Sequence, residues 1–554
     1  MPRLRQPDHD RRPASDRSLR RGRDRHRHPT ARRPIPKRLG SGAFGDGANP
    51  TPALQRRNAM SHARGVTEVN GIREYEYFAG GEWRTAEAHK LFDVYRPYDR
   101  GLYARVAAGG RPEAQLAVDA AAKAFPAWSQ TTPAERAKLF FRAAEIVKRR
   151  RAEIAEILAI ETGSTISFAT FQQDLVAATI EQAAGWMYLP KGEVLETNMP
   201  GTHSIGVRRP LGVVASFTPW NGANVLSWRA VLSPVAAGNT VVVKPSELAP
   251  ISAGLILAEI AEEAGFPAGV INVVTHAPGA AGAIADVFFE SPDVRVINLI
   301  GGVKTAKMLA KRAGETLKRT TMELGGYNPM IILDDVDVDY AVRTATFGSF
   351  FHQGQICLNT RRIIIQRKIA DEFLEKFAAR TRTLPSGDPQ DHKTIIGPLI
   401  TPAAVKLCDD RVKEALAKGA TLHTGGVFEG QIYQPTILSN VPLDVAVANE
   451  ETFGPVVVVE VVDTPEQAVE AANRTLYGLT SSILAGDTYR AFELAPKILA
   501  GIVNVNSPTV NDEIHAPMGG VRDSGWGRTG PDSLKEFQDV IWINAHSGQR
   551  QYPI

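Results

Sequence analysis

The sequence predicts an α/β protein: a doubly wound parallel sheet, a second α/β lobe and a small β arm. Three observations predict it. Short apolar runs rich in Val and Ile, GVVASFTPW (212–220), NTVVVKPSE (239–247), GVINVVTH (269–276) and VRVINLIGG (294–302), alternate with helix-length segments. That alternation describes buried parallel strands joined by crossover helices. A further α/β set begins near Asn328, with NPMIILDD, RRIIIQR, the helical ITPAAVKLCDDRVKEALAKGA, GPVVVVEVV and IVNVNS (502–507). Lastly, EVLETNM and HSIGVRR around a PGT turn, and the late EFQDVIWINAH, have no core of their own. Strands with bare edges invite pairing, so these are expected to form an arm that meets another subunit.

At 554 residues the chain is long enough for two or three lobes around a large interior. The expected division is 60–187 with 211–323, then 324–529, with 188–210 and 530–554 as the arm. Residues 112 to about 190 read as helical, including RPEAQLAVDAAAKAF and TPAERAKLFFRAAEIVKRRRAEIAEILAIETG, the latter opened by Thr and Pro and closed near Gly163. Residues 1–59 differ from everything after them. They carry 16 Lys or Arg against 5 Asp, whereas the remainder carries 48 basic against 55 acidic residues. Such a tail has too few aliphatic residues to offset the entropy of ordering and is expected to be disordered. Three readings compete: a nucleic-acid or membrane arm, a transit peptide, and translated sequence upstream of a start at Met60. Prolines at 2, 7, 13, 29, 34 and 36 break an amphipathic helix and interspersed Asp residues oppose a transit peptide, which favours the third. No run of about 18 apolar residues occurs, so nothing is expected to span a bilayer. The body is read as soluble and cytoplasmic, without nucleic acid.

Two cysteines, Cys357 and Cys408, exclude a disulfide framework and a four-cysteine metal site, and no metal is expected. Cys408 lies in a helical pattern as a small apolar filler. Cys357, in FFHQGQICLNTRR between a helical segment (338–349) and the strand RRIIIQR, reads as a cysteine that opens a strand after a glycine-containing turn, at a lobe edge where a thiolate could meet a substrate. Upstream, RTTMELGGYNP places Glu323 at the end of a β-like run before Gly325 and Gly326, where a carboxylate can act as a base. TPWN places Asn221 at the carboxyl end of a strand, where its amide could donate to a developing oxyanion. Read singly, these are a buried cysteine, a surface glutamate and a turn asparagine.

Together, TPWN, VVVKPSE, MELGG, GQIC, EETFGPV and PMGGVRDSGWGR stand in an order and at separations that resemble the aldehyde dehydrogenase superfamily, from about residue 75 to 545. The resemblance implies a Rossmann-like cofactor domain, a catalytic domain and an oligomerisation arm, with a homodimer or homotetramer as the assembly. It implies Cys357 as nucleophile, Glu323 as general base and Asn221 as oxyanion donor, helped by the nitrogen of Cys357. The implied cofactor is NAD rather than NADP, held through Thr218, Trp220, Lys244, Ser246 and Glu247. A carboxylate at Glu247 would repel a 2′-phosphate. Gly301 and Gly302 open a helix whose amides suit a pyrophosphate, although G-x-G-x-x-G is absent. Gly302 stands where the family often has Ser and Ala306 where it often has Gly, so the backbone alone should meet the phosphate. Glu451 and Phe453 resemble the pair that holds the nicotinamide ribose and ring.

WNGANVLSWRAVLSPVAAGNTVVVKPSE and GGVRDSGWGR look more like the vanillin, benzaldehyde and salicylaldehyde dehydrogenase branch than the aliphatic one. Gly222, where many relatives carry a ring, would leave room for a flat substrate, with Trp228 and Phe351 as walls and Arg229 close by. Aliphatic aldehydes and semialdehydes are the rival substrates; Arg361 could pair with a semialdehyde carboxylate, but as the start of a strand it reads as structural. A CoA-acylating enzyme would have no use for Glu323. A catalytically inactive binding or scaffolding protein with a basic nucleic-acid-binding tail is the reading from another class.

Overall fold

The structure is a computed structural model describing residues 64–554, so expectations for the tail lie outside the described residues. Two open sheets dominate. The first is built on five parallel strands, β1 (Val213–Thr218), β2 (Thr240–Pro245), β3 (Ile271–Val273), β4 (Val294–Gly301) and β5 (Arg319–Leu324), side by side in the order β5-β4-β1-β2-β3. Antiparallel strands extend it at both ends: Gly525–Trp526 beside β5, and Tyr77–Ala79 with Glu82–Arg84 beyond β3. The order reverses at β1, so β1 and β4 diverge in connectivity and their carboxyl ends open a crevice. β1 to β3 are buried throughout and β4 nearly so, which is why these strands read as continuous apolar runs rather than alternating ones, while Arg319, Thr320 and Glu323 of β5 keep some exposure.

The second sheet follows at once. Its parallel strands are β6 (Pro329–Ile332), β7 (Arg362–Gln366), β8 (Val456–Val462), β9 (Thr480–Leu484) and β10 (Ile502–Val505), ordered β8-β7-β6-β9-β10. Thr436–Ser439 runs parallel to β8, and Thr421–Thr424 closes that edge antiparallel. Three antiparallel strands, Gly192–Leu195, Thr202–Pro210 and Gln538–His546, form a third sheet in which His203 to Pro210 pair residue by residue with Gln538 to Ala545. Much of it is exposed, including Val194, Val540, Trp542 and Ile543. Together the sheets and helices form the α/β fold expected, within one unit from His62 to Ile554.

Helix α1 (Ala223–Ala237) connects β1 to β2, α2 (Val303–Glu315) connects β4 to β5, and α3 (Val338–Phe350) leads from β6 towards Cys357. Asp337 caps α3 by accepting from the amide of Tyr340 at 2.6 Å. Two elements differ from expectation. The helical run after Thr132 is broken at Arg150 into Pro133–Arg149 and Arg151–Thr162, and a fourth helix, Ile166–Trp186, follows. Arg150 leaves helical geometry at φ −90°, ψ 9° while its guanidinium binds Glu153 and Glu259, an offset that periodicity cannot reveal. The first described residues also form a four-stranded sheet (Val66–Val69, Ile72–Tyr75, Leu91–Tyr95 and Leu102–Ala107) that the sequence reading missed. Among the described residues no helix is long and apolar enough to cross a membrane.

Candidate active site

Asn221 follows the carboxyl end of β1, Glu323 lies in the last turn of β5, and Cys357 lies in the loop between α3 and β7. Cys357 does not open β7 as the sequence suggested: the strand starts five residues later, at Arg362, and the intervening residues form a closed turn. The Ile356 amide donates to Asn359 Oδ1 at 2.7 Å and the Asn359 amide to Ile356 O at 3.0 Å. Asn328, just after the glycine pair that follows Glu323, donates through Nδ2 to Cys357 O at 2.7 Å and Asn359 O at 2.8 Å. Arg361 is 2 % exposed and binds carbonyls on both sides of the cysteine, Gly354 O at 2.6 Å and Ile356 O at 3.0 Å, together with Gly454 O at 3.2 Å. It is therefore a clamp on the cysteine loop, held through both terminal nitrogens of its guanidinium.

The approach to this loop is strained. His352, Gln353 and Gly354 follow one another at φ of 52°, 45° and 71°. Two non-glycine residues there cost on the order of 1–3 kcal/mol each. They are held because Gln353 Nε2 donates to Gly163 O at 3.0 Å and Pro398 O at 3.2 Å, while the His352 ring stacks on Phe168 at 4.3 Å. Burial lowers the His352 pKa to about 3, so the ring is neutral. At Gly354 a side chain would also strike the backbone of Gly454, so only glycine fits.

Asn221 Nδ2 donates one proton to Gln355 O at 3.0 Å, which fixes the amide against the cysteine loop. An amide nitrogen carries two protons, leaving one for a ligand. Among the described residues the Cys357 backbone N–H has no protein acceptor. One free amide proton on Asn221 and one free backbone N–H on the cysteine loop it is tied to are the composition of an oxyanion hole.

The reactive groups share one electrostatic field. Burial pushes the Cys357 thiol up to about 12, with Glu451 and Glu323 adding to it and Arg229 and Arg361 opposing. Burial likewise raises Glu323 to about 7, opposed by Arg229 and Arg528 and reinforced by Asp512. Arg229, on α1, is ion-paired to Asp512 and sets its thioether neighbour, Met518 Sδ, 3.9 Å away. The thiol is thus protonated at neutral pH, while Glu323 is poised to gain or lose a proton there.

The cofactor-side residues cluster at the other strand ends of the first sheet. Lys244 and Glu247 flank the end of β2, and Lys244 Nζ donates to Pro245 O at 3.0 Å and to His276 Nε2 at 2.6 Å. Thr218 is occupied internally, donating to Ala253 O at 3.0 Å, and Ser246 Oγ accepts from the Leu248 amide at 3.3 Å. Gly301 ends β4 and Gly302 caps α2; a side chain built at Gly302 would meet nothing, so open space faces the first turn of that helix. Trp220 and Phe453 meet edge to face at 5.6 Å, and Phe453 is held at φ 55° beneath the Arg361 guanidinium. Glu451 rests on the glycine pair after Glu323: its Oε1 accepts from the Gly326 amide at 3.3 Å, and a side chain at Gly325 would collide with its carboxylate. Burial raises Glu451 to about 7, opposed chiefly by Arg361.

The substrate-side expectations divide. Phe351 is half-buried in an aromatic group with Phe168 at 4.9 Å and Phe347 at 4.6 Å. Gly222 caps α1, and a side chain there would crowd Leu226. Trp228 is 1 % exposed and packs in the hydrophobic cluster with Val231 and Leu232. The next residue, Arg229, is the α1 side chain whose charge reaches Glu323 and Cys357. Helical rotation of about 100° per residue explains the exchange. Cys408 is buried in its helix, as the apolar reading expects. Sequence reasoning missed Asn328, Asn359, Asp512 and His276. Asn328 could have been suspected from its place directly after MELGGY; the others carry no local signal.

The aldehyde dehydrogenase family profile matches residues 83–543 of this chain. The chain belongs to the aldehyde dehydrogenase family. It is 38 % identical over 476 residues to a vanillin dehydrogenase of Pseudomonas fluorescens, covering 86 % of this chain and 98 % of that one. A salicylaldehyde dehydrogenase from Pseudomonas putida G7, solved with salicylaldehyde, superposes with TM-score 0.85 at 34 % identity, covering 87 % and 100 %. Staphylococcus aureus betaine aldehyde dehydrogenase in complex with NAD+ gives TM-score 0.83 at 31 % identity over 86 % and 97 %. An Escherichia coli NADP-dependent enzyme gives 0.83 at 32 % over 85 % and 98 %. As a member of this family the chain is an aldehyde-oxidising oxidoreductase.

Proposed function

We propose that this aldehyde dehydrogenase oxidises an aromatic aldehyde to its carboxylic acid with NAD, using Cys357, Glu323 and Asn221. The observation that carries the reading is the convergence of a half-buried thiol, a carboxylate poised near neutrality, and two unspent donors on the Asn221–Cys357 side of one cleft.

The Cys357 thiol gives its proton to the Glu323 carboxylate, which passes it to solvent, and the sulfur adds to the aldehyde carbon; the oxygen of the resulting thiohemiacetal is stabilised by Asn221 Nδ2 and the Cys357 N–H. A nicotinamide held by Glu451 and Phe453 would supply the hydride acceptor for that carbon, and the acyl group would then remain on Cys357 as a thioester. Glu323, as carboxylate, takes a proton from water, the water oxygen attacks the thioester, and the acid leaves with the thiol restored. Residues present in the cleft fit a dinucleotide: open space at the α2 N-terminus for the pyrophosphate, Lys244 and Glu247 for the adenosine ribose, and Glu451 with Phe453 for the nicotinamide end. Glu247 favours NAD, because its carboxylate would repel a 2′-phosphate. The exposed strands of the third sheet support assembly as a homodimer or homotetramer. The aromatic group around Phe351 and the likeness to vanillin and salicylaldehyde dehydrogenases support a flat substrate.

A panel of aromatic aldehydes, aliphatic aldehydes and semialdehydes followed by NADH formation tests this. The highest kcat/KM should fall among the aromatic members, with acid released without added CoA. A clear preference for an aliphatic aldehyde or semialdehyde would overturn the substrate assignment.

A further inference from the structure

His276 lies in the loop after β3, at the carboxyl end of the first sheet, with its ring 1 % exposed against Lys244 at 7 %. Its Nδ1 is 2.9 Å from Ala277 O. A carbonyl oxygen only accepts, so Nδ1 carries the proton and Nε2 is left with the lone pair that receives the Lys244 ammonium at 2.6 Å. The imidazole is therefore neutral and its tautomer is set by the backbone. An ammonium has three protons; Pro245 O and His276 Nε2 take two, and their positions fix the direction of the third. The Glu247 carboxylate stands 3.9 Å from His276 Nε2, with its side chain one-third exposed. Lys244 and Glu247 are the charged groups acting on the ring.

We propose that His276 is the positioning residue that sets cofactor choice: it ties down the Lys244 ammonium, leaving Glu247 as the group that faces the ribose 2′ position, so a 2′-hydroxyl is accepted and a 2′-phosphate refused. This rests on the dinucleotide site proposed above. Without the ring nitrogen, Lys244 is free to turn towards a 2′-phosphate and neutralise it, and the site loses its bias. Burial independently favours the neutral ring, and it also holds Lys244 down to about 8, so the lysine is costly to leave unpartnered.

The test uses the full chain and ligands that lack nicotinamide, with calorimetry of adenosine 5′-monophosphate and adenosine 2′,5′-bisphosphate. Wild type should bind the monophosphate more tightly. His276→Leu should shift the ratio of the two affinities towards the bisphosphate by about tenfold or more, the scale of one hydrogen bond to a charged group. His276→Gln, whose amide oxygen can receive the ammonium, should restore the wild-type ratio. Glu247→Gln, which leaves the buried pair intact, should move the ratio in the same direction as His276→Leu. A purely structural role would weaken both ligands equally. An unchanged ratio in His276→Leu overturns this inference whatever Glu247→Gln does, while leaving the cofactor site standing; failure of wild type to bind the monophosphate overturns both.

Discussion

Two carboxylates in this chain are raised to the same pKa in opposite surroundings, Glu161 fully buried and Glu323 only partly so. Glu161, at the end of the helix Arg151–Thr162, is fully buried and raised to about 7 by burial, yet it accepts from Ile251 N at 2.9 Å and Ser252 N at 2.7 Å, and from Ser252 Oγ. Those donors open the helical stretch that begins with Ile251–Leu255 and continues as Ile256–Ala264, where backbone N–H groups lack helical partners. Glu323 is also raised to about 7 by burial, but among the described residues its carboxylate accepts no hydrogen bond; Arg229 and Arg528 act on it only through their charge. One carboxylate has its lone pairs committed to the fold, and the other keeps them available. What separates the two acids here is how far the fold encloses and satisfies each carboxylate, not the direction of its pKa shift.

That contrast can be broken by exchanging the two residues for their amides. Glu323→Gln should lower kcat by about 10²- to 10⁴-fold, the usual contribution of a general base, and single-turnover experiments should show a first burst of NADH with acyl-enzyme accumulating on Cys357. A mutant that turns over normally would remove Glu323 from the chemistry. Asn221→Ala should cost on the order of 10²- to 10³-fold in kcat with little change in cofactor affinity, as for other oxyanion donors; a loss confined to cofactor binding would reassign the residue. The pH profile sharpens the comparison further. Acid release in wild type should climb through pH about 7, as Glu323 becomes the carboxylate, and level off above it. Arg229→Gln removes a cation that lowers the Glu323 pKa and frees Asp512, which raises it, so the midpoint should move to higher pH. A midpoint that stays put or moves down would show that the pair does not tune the base. Glu161→Gln should leave kcat intact and lower stability by about 1–3 kcal/mol in denaturant melts, because an amide nitrogen would face a buried donor. Loss of activity without loss of stability there would undo the distinction.

The sequence by itself determined the α/β class and the strands of the first sheet, and its motifs, through their resemblance to a family, pointed to Cys357, Glu323 and Asn221. Buried parallel strands must be continuous apolar runs, and Glu323 and Cys357 sit in motifs whose glycines and spacing are local. It also gave the last β segment, because alternation is local too. Tertiary structure decided what depends on rotation and distance: that Arg229 rather than Trp228 is turned towards Glu323 and Cys357, and that Asp512, 283 residues further on, partners it. Packing across the two sheets made Arg361 a clamp, placed Asn328 under the cysteine turn and set His276 against Lys244. No periodicity encodes these contacts, since each is fixed by where two distant backbones cross rather than by the neighbours of either residue.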